Sequence, residues 1–170
     1  MDVLGPGHII LLIIHIVSAG LWFAQFPLDF VMGRLVKTNE GKPSEAALLV
    51  AHLRAGTVLG QIAGPLVLLS GLGLLVVWHW GLFGLTATTP VWLIVKQVVY
   101  VILMGIVGAV ITPNAKRIGT LVTELTQGKD ASPVTPDMRA AYSRIMLVSR
   151  ITGLLVLLNI IIGKFAGPPS

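Results

Sequence analysis

Cysteine is absent from this chain. That excludes disulfides, cysteine-ligated zinc and cysteine-held iron–sulfur clusters. Charge is scarce as well. Only 11% of the 170 residues are Asp, Glu, Lys or Arg, against roughly a quarter in soluble domains. No basic run precedes the first apolar stretch, where Asp2 is the only charged residue, so an ordinary signal peptide is not indicated. Neither an H-x-x-x-H nor an E-x-x-H spacing occurs, and the five methionines are scattered. A helix-borne zinc site and a methionine copper relay therefore lack support. No internal repeat or soluble domain is apparent.

What remains is apolar: 55% hydrophobic residues and a mean hydropathy of +0.89. About 20 apolar residues cross the ~30 Å hydrocarbon core of a bilayer as a helix. Four segments qualify, over about residues 7–32, 45–78, 90–112 and 137–165. The expected fold is an all-α integral membrane four-helix bundle forming one domain over 1–170. Pro27 and Pro65 fall inside the first two helices, where each removes a backbone bond. Ser44 with Glu45 reads as the start of the second helix. Thr89 with Pro90 reads as the start of the third. Pro113 and Asn114 are expected to break the third helix, with 118–126 a short interfacial helix or its tail. Thr135, Pro136 and Asp137 restart a helix that ends before the Gly/Pro tail at 167–170.

The net charge of +5 does not point to nucleic acid. Ten of the 12 Lys and Arg sit in or beside the first and third loops, the latter including Lys129 beside Asp130, and none sits in the second. The positive-inside rule then places both termini outside. Trp78, Trp80 and Trp92 gather at the opposite end, as an interfacial aromatic belt does. The lack of a targeting sequence favours a prokaryotic inner membrane.

Ionisable residues inside a span are expensive and mark candidate sites. On the first helix His8, His15, Trp22 and Asp29 recur every seven residues, with Ser18 and Gln25 interleaved. Such positions drift only ~20° per step, so they form one stripe. At 1.5 Å per residue His15 lies about 12 Å, and Lys96 about 9 Å, below the same surface. Tyr100 is one turn beyond Lys96, and Asn159 on the fourth helix falls in the same half. A polar pocket between helices one, three and four is the expectation. There an imidazole can ligate haem iron, and a lysine can hold a propionate or act as a base. The plainer alternatives are a His15 bond to a carbonyl or to Asn159, and a Lys96 that snorkels. Asp29 is expected to pair with Arg34, Arg54 or Arg150 near the other end, with a proton path as the sharper alternative. His52 and Arg54 read as a solvated helix start or an inner anion site. His8 and His79 read as solvent-exposed. Gly56, Gly60 and Gly64 form a small-xxx-small run suited to close helix contact, inside the bundle or with a partner.

Two of these stretches carry a resemblance. His15-Ile-Val-Ser-Ala-Gly-Leu-Trp22-Phe23-Ala24 resembles the opening of the HemJ-type protoporphyrinogen oxidases, where a helix-one histidine precedes Trp-Phe-Ala-Gly. Trp92-Leu-Ile-Val-Lys96 is similar to the Trp-x-x-x-Lys of that family's third helix, and Arg54 to a basic residue near its second. CopD-like membrane proteins share the architecture. After Ala24 this chain departs, with Gln25-Phe26-Pro27-Leu28-Asp29 where the family has a glycine and a Pro-Arg pair. The resemblance implies haem b held by His15, with Lys96 essential, in the oxidation of protoporphyrinogen IX. Ser18, Trp22, Arg54, Tyr100 and Asn159 are the expected surroundings, and a porphyrin or quinone the expected partner. Two other readings stand beside it. One is a non-enzymatic subunit of a respiratory or photosynthetic complex, or a homo-oligomer, docked through the Gly56/Gly60/Gly64 face. The other is a CopD-like metal transport module.

Overall fold

The computed structural model describes residues 5–127 and 133–165. Asp2, Lys129, Asp130 and the tail 167–170 lie outside them. Among the described residues the regular structure is all helical, with no strand. Helix α1 spans Pro6–Thr38, α2 Glu45–Val77 and α3 Val91–Arg117. A short α4 covers Gly119–Thr126, and α5 covers Pro136–Phe165. A single 3₁₀ turn, Leu82–Gly84, lies between α2 and α3. The four long helices are long and apolar enough to cross a membrane. At 1.5 Å per residue the 33 residues of α1 reach about 50 Å, well past a ~30 Å hydrocarbon core.

Several helix ends differ from the sequence expectation. Helix α1 continues six residues past 32, because nothing in Gly33–Thr38 opposes a helix strongly. Asn39 closes it, its side-chain amide donating to the Leu35 carbonyl at 2.9 Å. Ser44 is the N-cap residue of α2, as expected, but its hydroxyl donates to Asn39 Oδ1 at 3.1 Å and not to the helix end. Glu45 ties down that end instead. It accepts the Gly41 N–H at 2.7 Å and two bonds from Arg139, each 2.7 Å. Pro90 is the cap residue of α3, not its first residue. Thr89 turns its hydroxyl to the Gly81 N–H at 2.9 Å.

Pro113 does not break α3. A proline lacks an N–H and its ring crowds the carbonyl four residues back. The helix accommodates this by widening into a π turn over Val107–Ile111, directly before the proline. Thr112 Oγ1 donates to the Val107 carbonyl at 3.0 Å, and Asn114 Nδ2 to the Val110 carbonyl at 2.7 Å. The helix then runs on to Arg117.

Helix α1 packs along α2 and along α5, and α5 also packs on α3. Helices α2 and α3 stand apart. Side chains span the interval, with Trp22 edge-on to Tyr100 at 5.9 Å and the Tyr100 hydroxyl 3.4 Å from the Gly64 carbonyl. The best-buried apolar cluster lies at the end carrying the basic loops. There Val36, Leu49, Ile118, Leu121, Tyr142 and Ile145 close over one another. At the opposite, aromatic end Trp78, Trp80 and Trp92 stack in series. His8 belongs to that stack, not to solvent: it is buried, edge-on to Trp78 at 4.9 Å. His79 is exposed, as expected. Ile9, Ile16, Leu69, Val76, Val101 and Leu147 face outward, which suits hydrocarbon rather than water.

Candidate functional site

The polar residues of the spans fall into two layers with a cavity between α2 and α3. In the layer toward the aromatic end, His15 reaches α2. Its Nδ1 lies 3.0 Å from Ser70 Oγ. Ser70 has one hydroxyl proton, and it goes to the Leu66 carbonyl, a bond of 2.5 Å. A carbonyl only accepts, so Ser70 must accept from His15. On that assignment Nδ1 carries the proton toward Ser70, and the ring also bonds the Val67 backbone. A serine that orients a histidine in this way is what a ligating or basic imidazole needs behind it. Glycine at 71 makes the approach possible, since a Cβ there would lie 3.3 Å from His15 Cε1.

Lys96 points to α5. A Cβ on Gly163 would sit 2.6 Å from its Nζ, so the glycine opens the niche that the ammonium occupies. The ammonium also lies 5.6 Å from the centroid of Trp92. It forms no ion pair among the described residues. Asn159, one turn before Gly163, has a buried Oδ1 with no partner. Ser18 is buried on α1. His15 therefore bonds Ser70 and not Asn159, and it faces α2, not a pocket between α1, α3 and α5.

The cavity lies further toward the basic end. It encloses about 980 Å³, the upper range for small-molecule sites. Trp22, Tyr100 and Arg54 line it; His15, Ser18, Lys96 and Asn159 do not. Its walls are mostly apolar, with Arg54 and Lys116 as its basic groups. The glycine run belongs here. Positions 60 and 64 have no atom within 4 Å of where a Cβ would stand, and Gly56 meets only the Gln25 side chain. Gly60 and Gly64 thus keep α2 thin beside the cavity, while Gly56 seats the Gln25 side chain of α1. The π turn of α3 contributes Val107 and Ile111 to the opposite wall.

The inner layer is a buried polar cluster centred on Asp29, which is 0% exposed. Its Oδ1 accepts from Gln25 Nε2 at 2.6 Å and faces His52 Nε2 at 3.0 Å. Its Oδ2 accepts from Ser149 Oγ at 2.5 Å. The other ring nitrogen of His52 lies 2.7 Å from the Tyr142 hydroxyl. With the carboxylate as acceptor, His52 donates from Nε2, and a neutral ring then accepts the Tyr142 O–H at Nδ1. The carboxylate, both His52 ring nitrogens and the Tyr142 and Ser149 hydroxyls are then satisfied, while Gln25 Oε1 is buried without a partner. Two expectations fail here. Asp29 pairs with no arginine: Arg34 and Arg54 are exposed, and Arg150 lies over the Phe30 ring at 4.7 Å with its Nε unpartnered. His52 is not a solvated helix start but is 1% exposed. An arginine is too long and too strongly charged to close a site already filled by three short donors.

Three residues of these layers escaped the sequence reading: Ser70, Tyr142 and Ser149. Tyr142 and Ser149 are seven apart on α5, the same spacing that marked the stripe on α1, and that signal was there to use. Ser70 carried none beyond being small. Among the described residues no group of three or more His, Asp or Glu could hold a bare metal ion. A porphyrin iron asks less of the protein, since one or two axial ligands suffice. No family model matches this chain, and comparisons with curated proteins and with solved structures find no match.

Proposed function

We propose that this chain is a multi-pass protein of a prokaryotic inner membrane, both termini outside, that binds haem b through His15. In this reading it is an oxidoreductase acting on a porphyrin, as the resemblance to HemJ-type protoporphyrinogen oxidases implies. One observation carries it: a histidine inside the span, oriented by Ser70, in the same layer as the unpaired Lys96 ammonium. That donor suits haem iron, and the unpaired Lys96 ammonium suits a propionate. When bound, the iron supplies one-electron chemistry that no side chain here can. The chain's own part is to hold His15 in one tautomer, to present a cation at Lys96, and to keep water out with apolar walls.

A second reading is favoured by the cavity. A porphyrin or quinone bound between α2 and α3, with no iron ligated, would meet Arg54 and Lys116 with its polar substituents. The test is the absorption spectrum of the purified protein, oxidised and dithionite-reduced. A reducible Soret band lost in His15→Ala supports haem on His15. A colourless protein that releases a quinone or a free porphyrin on solvent extraction, and loses it in Arg54→Ala, supports the second reading.

A further inference from the structure

The Asp29 cluster does more than fill a polar site, because its two ends open on different spaces. Tyr142 lines a second pocket of about 350 Å³ at the basic end, among Lys37, Glu40, Glu45, Arg139 and Arg150. Ser149, Gln25 and His52 line the 980 Å³ cavity. Between the two spaces runs an unbroken series of hydrogen bonds. Tyr142 Oη to His52 Nδ1 is 2.7 Å, His52 Nε2 to Asp29 Oδ1 is 3.0 Å, and Asp29 Oδ2 to Ser149 Oγ is 2.5 Å. Each atom in it can both hold and pass a proton. Asp29, at 0% exposure, lines neither space, and His52, at 1% exposure, borders the large cavity. A static network needs no such end-to-end arrangement; two shorter donors on Asp29 would satisfy it.

We propose that Asp29 is a proton-loading site, connected to the basic-end pocket through Tyr142 and His52 and to the large cavity through Ser149. Loading consumes one proton and moves no electrons. A proton from water in the pocket joins the Tyr142 oxygen as the tyrosine's own proton passes to His52 Nδ1. The His52 Nε2 proton passes to Asp29 Oδ1, and the carboxyl becomes neutral. Unloading is the counterpart. After the carboxyl rotates, its proton passes to Ser149 Oγ, which gives its own proton to water in the cavity. Rotation of the imidazole restores the starting tautomer. The charged groups around the line are Arg150 on α5, stacked on Phe30, with Lys37, Glu40, Glu45 and Arg139 at the pocket and Arg54 and Lys116 at the cavity. The proposal does not rest on haem or on His15.

The experiment is infrared spectroscopy of the full chain in lipid nanodiscs, after a rapid acid jump. We expect a protonated-carboxyl C=O band that shifts in Asp29→Glu, which keeps an acid and tests assignment without removing it. In Tyr142→Phe, which deletes one oxygen, the band should reach the same final amplitude but rise about a hundredfold more slowly, a typical loss for a displaced proton donor. A carboxyl band that is absent at every pH or unmoved in Asp29→Glu overturns the loading site. A band that rises at the wild-type rate in Tyr142→Phe overturns the connection, and leaves the haem reading untouched.

Discussion

Replacing Asp29 by alanine should be among the most destabilising single changes in this chain, and replacing it by asparagine should be mild. The carboxylate is the only acceptor for three donors: Gln25 Nε2, His52 Nε2 and Ser149 Oγ. A buried donor left without a partner costs about 1–3 kcal/mol. Gln25 is only half-buried and can turn to water in the cavity. His52 at 1% and Ser149 at 7% exposure border the same cavity but are more fully buried, so each keeps part of that cost. Taken in full, two such penalties give about 2–6 kcal/mol, which brackets the 3–5 kcal/mol expected for breaking a buried pair. Asparagine keeps one oxygen for Gln25 and His52, and its amide can donate to a rotated Ser149 hydroxyl. The loss is then that of charge-assisted for neutral bonds, about 1–2 kcal/mol. The assay is reversible unfolding in mixed micelles with increasing SDS, followed by tryptophan fluorescence. Equal stability of the alanine and asparagine variants would refute the hydrogen-bond account, because it would make the carboxylate's partners irrelevant.

Two other outcomes follow from the helix contacts and the outer layer. The ¹⁵N spectrum of histidine-labelled protein at neutral pH should show His15 as the Nδ1–H tautomer, and Ser70→Ala should restore the usual excess of Nε2–H; an Nε2–H His15 in the unsubstituted protein would contradict the proton assignment at Ser70. Gly153→Ala should destabilise by about 1–3 kcal/mol through overpacking, because a Cβ there would overlap Phe26. Gly64→Ala has open space and should gain about 0.5–1 kcal/mol in helix preference, so a loss at Gly64 in the SDS titration would show that the run packs helices after all.

Four apolar segments and their approximate ends were legible because hydropathy over twenty residues reports on the bilayer directly. The errors at the ends have local causes. Pro113 is normally a breaker, and only the π turn before it lets α3 continue. The start of α2 at Ser44 and Glu45 was read correctly, but the partner that ties it down, Arg139, lies 94 positions away and was not legible. Depth was legible too: His15 and Lys96 were placed on one side of the span by counting. Direction around the helix axis was not. His15 turned to α2 and Lys96 to Gly163 on α5, because glycines at 71 and 163 open those contacts, and no periodicity in α1 or α3 carries that information. Asp29 shows the same limit. Its stripe on α1 was visible and held one partner, Gln25, but the other two, His52 and Ser149, come from α2 and α5, and arginines at the right depth looked like better partners than a histidine and a serine. The glycine run was read as a contact, whereas a row of missing side chains serves a cavity equally well.

The claim that His15 is a haem ligand is tested most directly by the optical spectrum of the purified chain, expressed with haem available, before and after dithionite. The account predicts a Soret and an α band that sharpen on reduction and are lost in His15→Ala while the variant remains folded. A colourless folded protein, or bands that persist unchanged in His15→Ala, would contradict it.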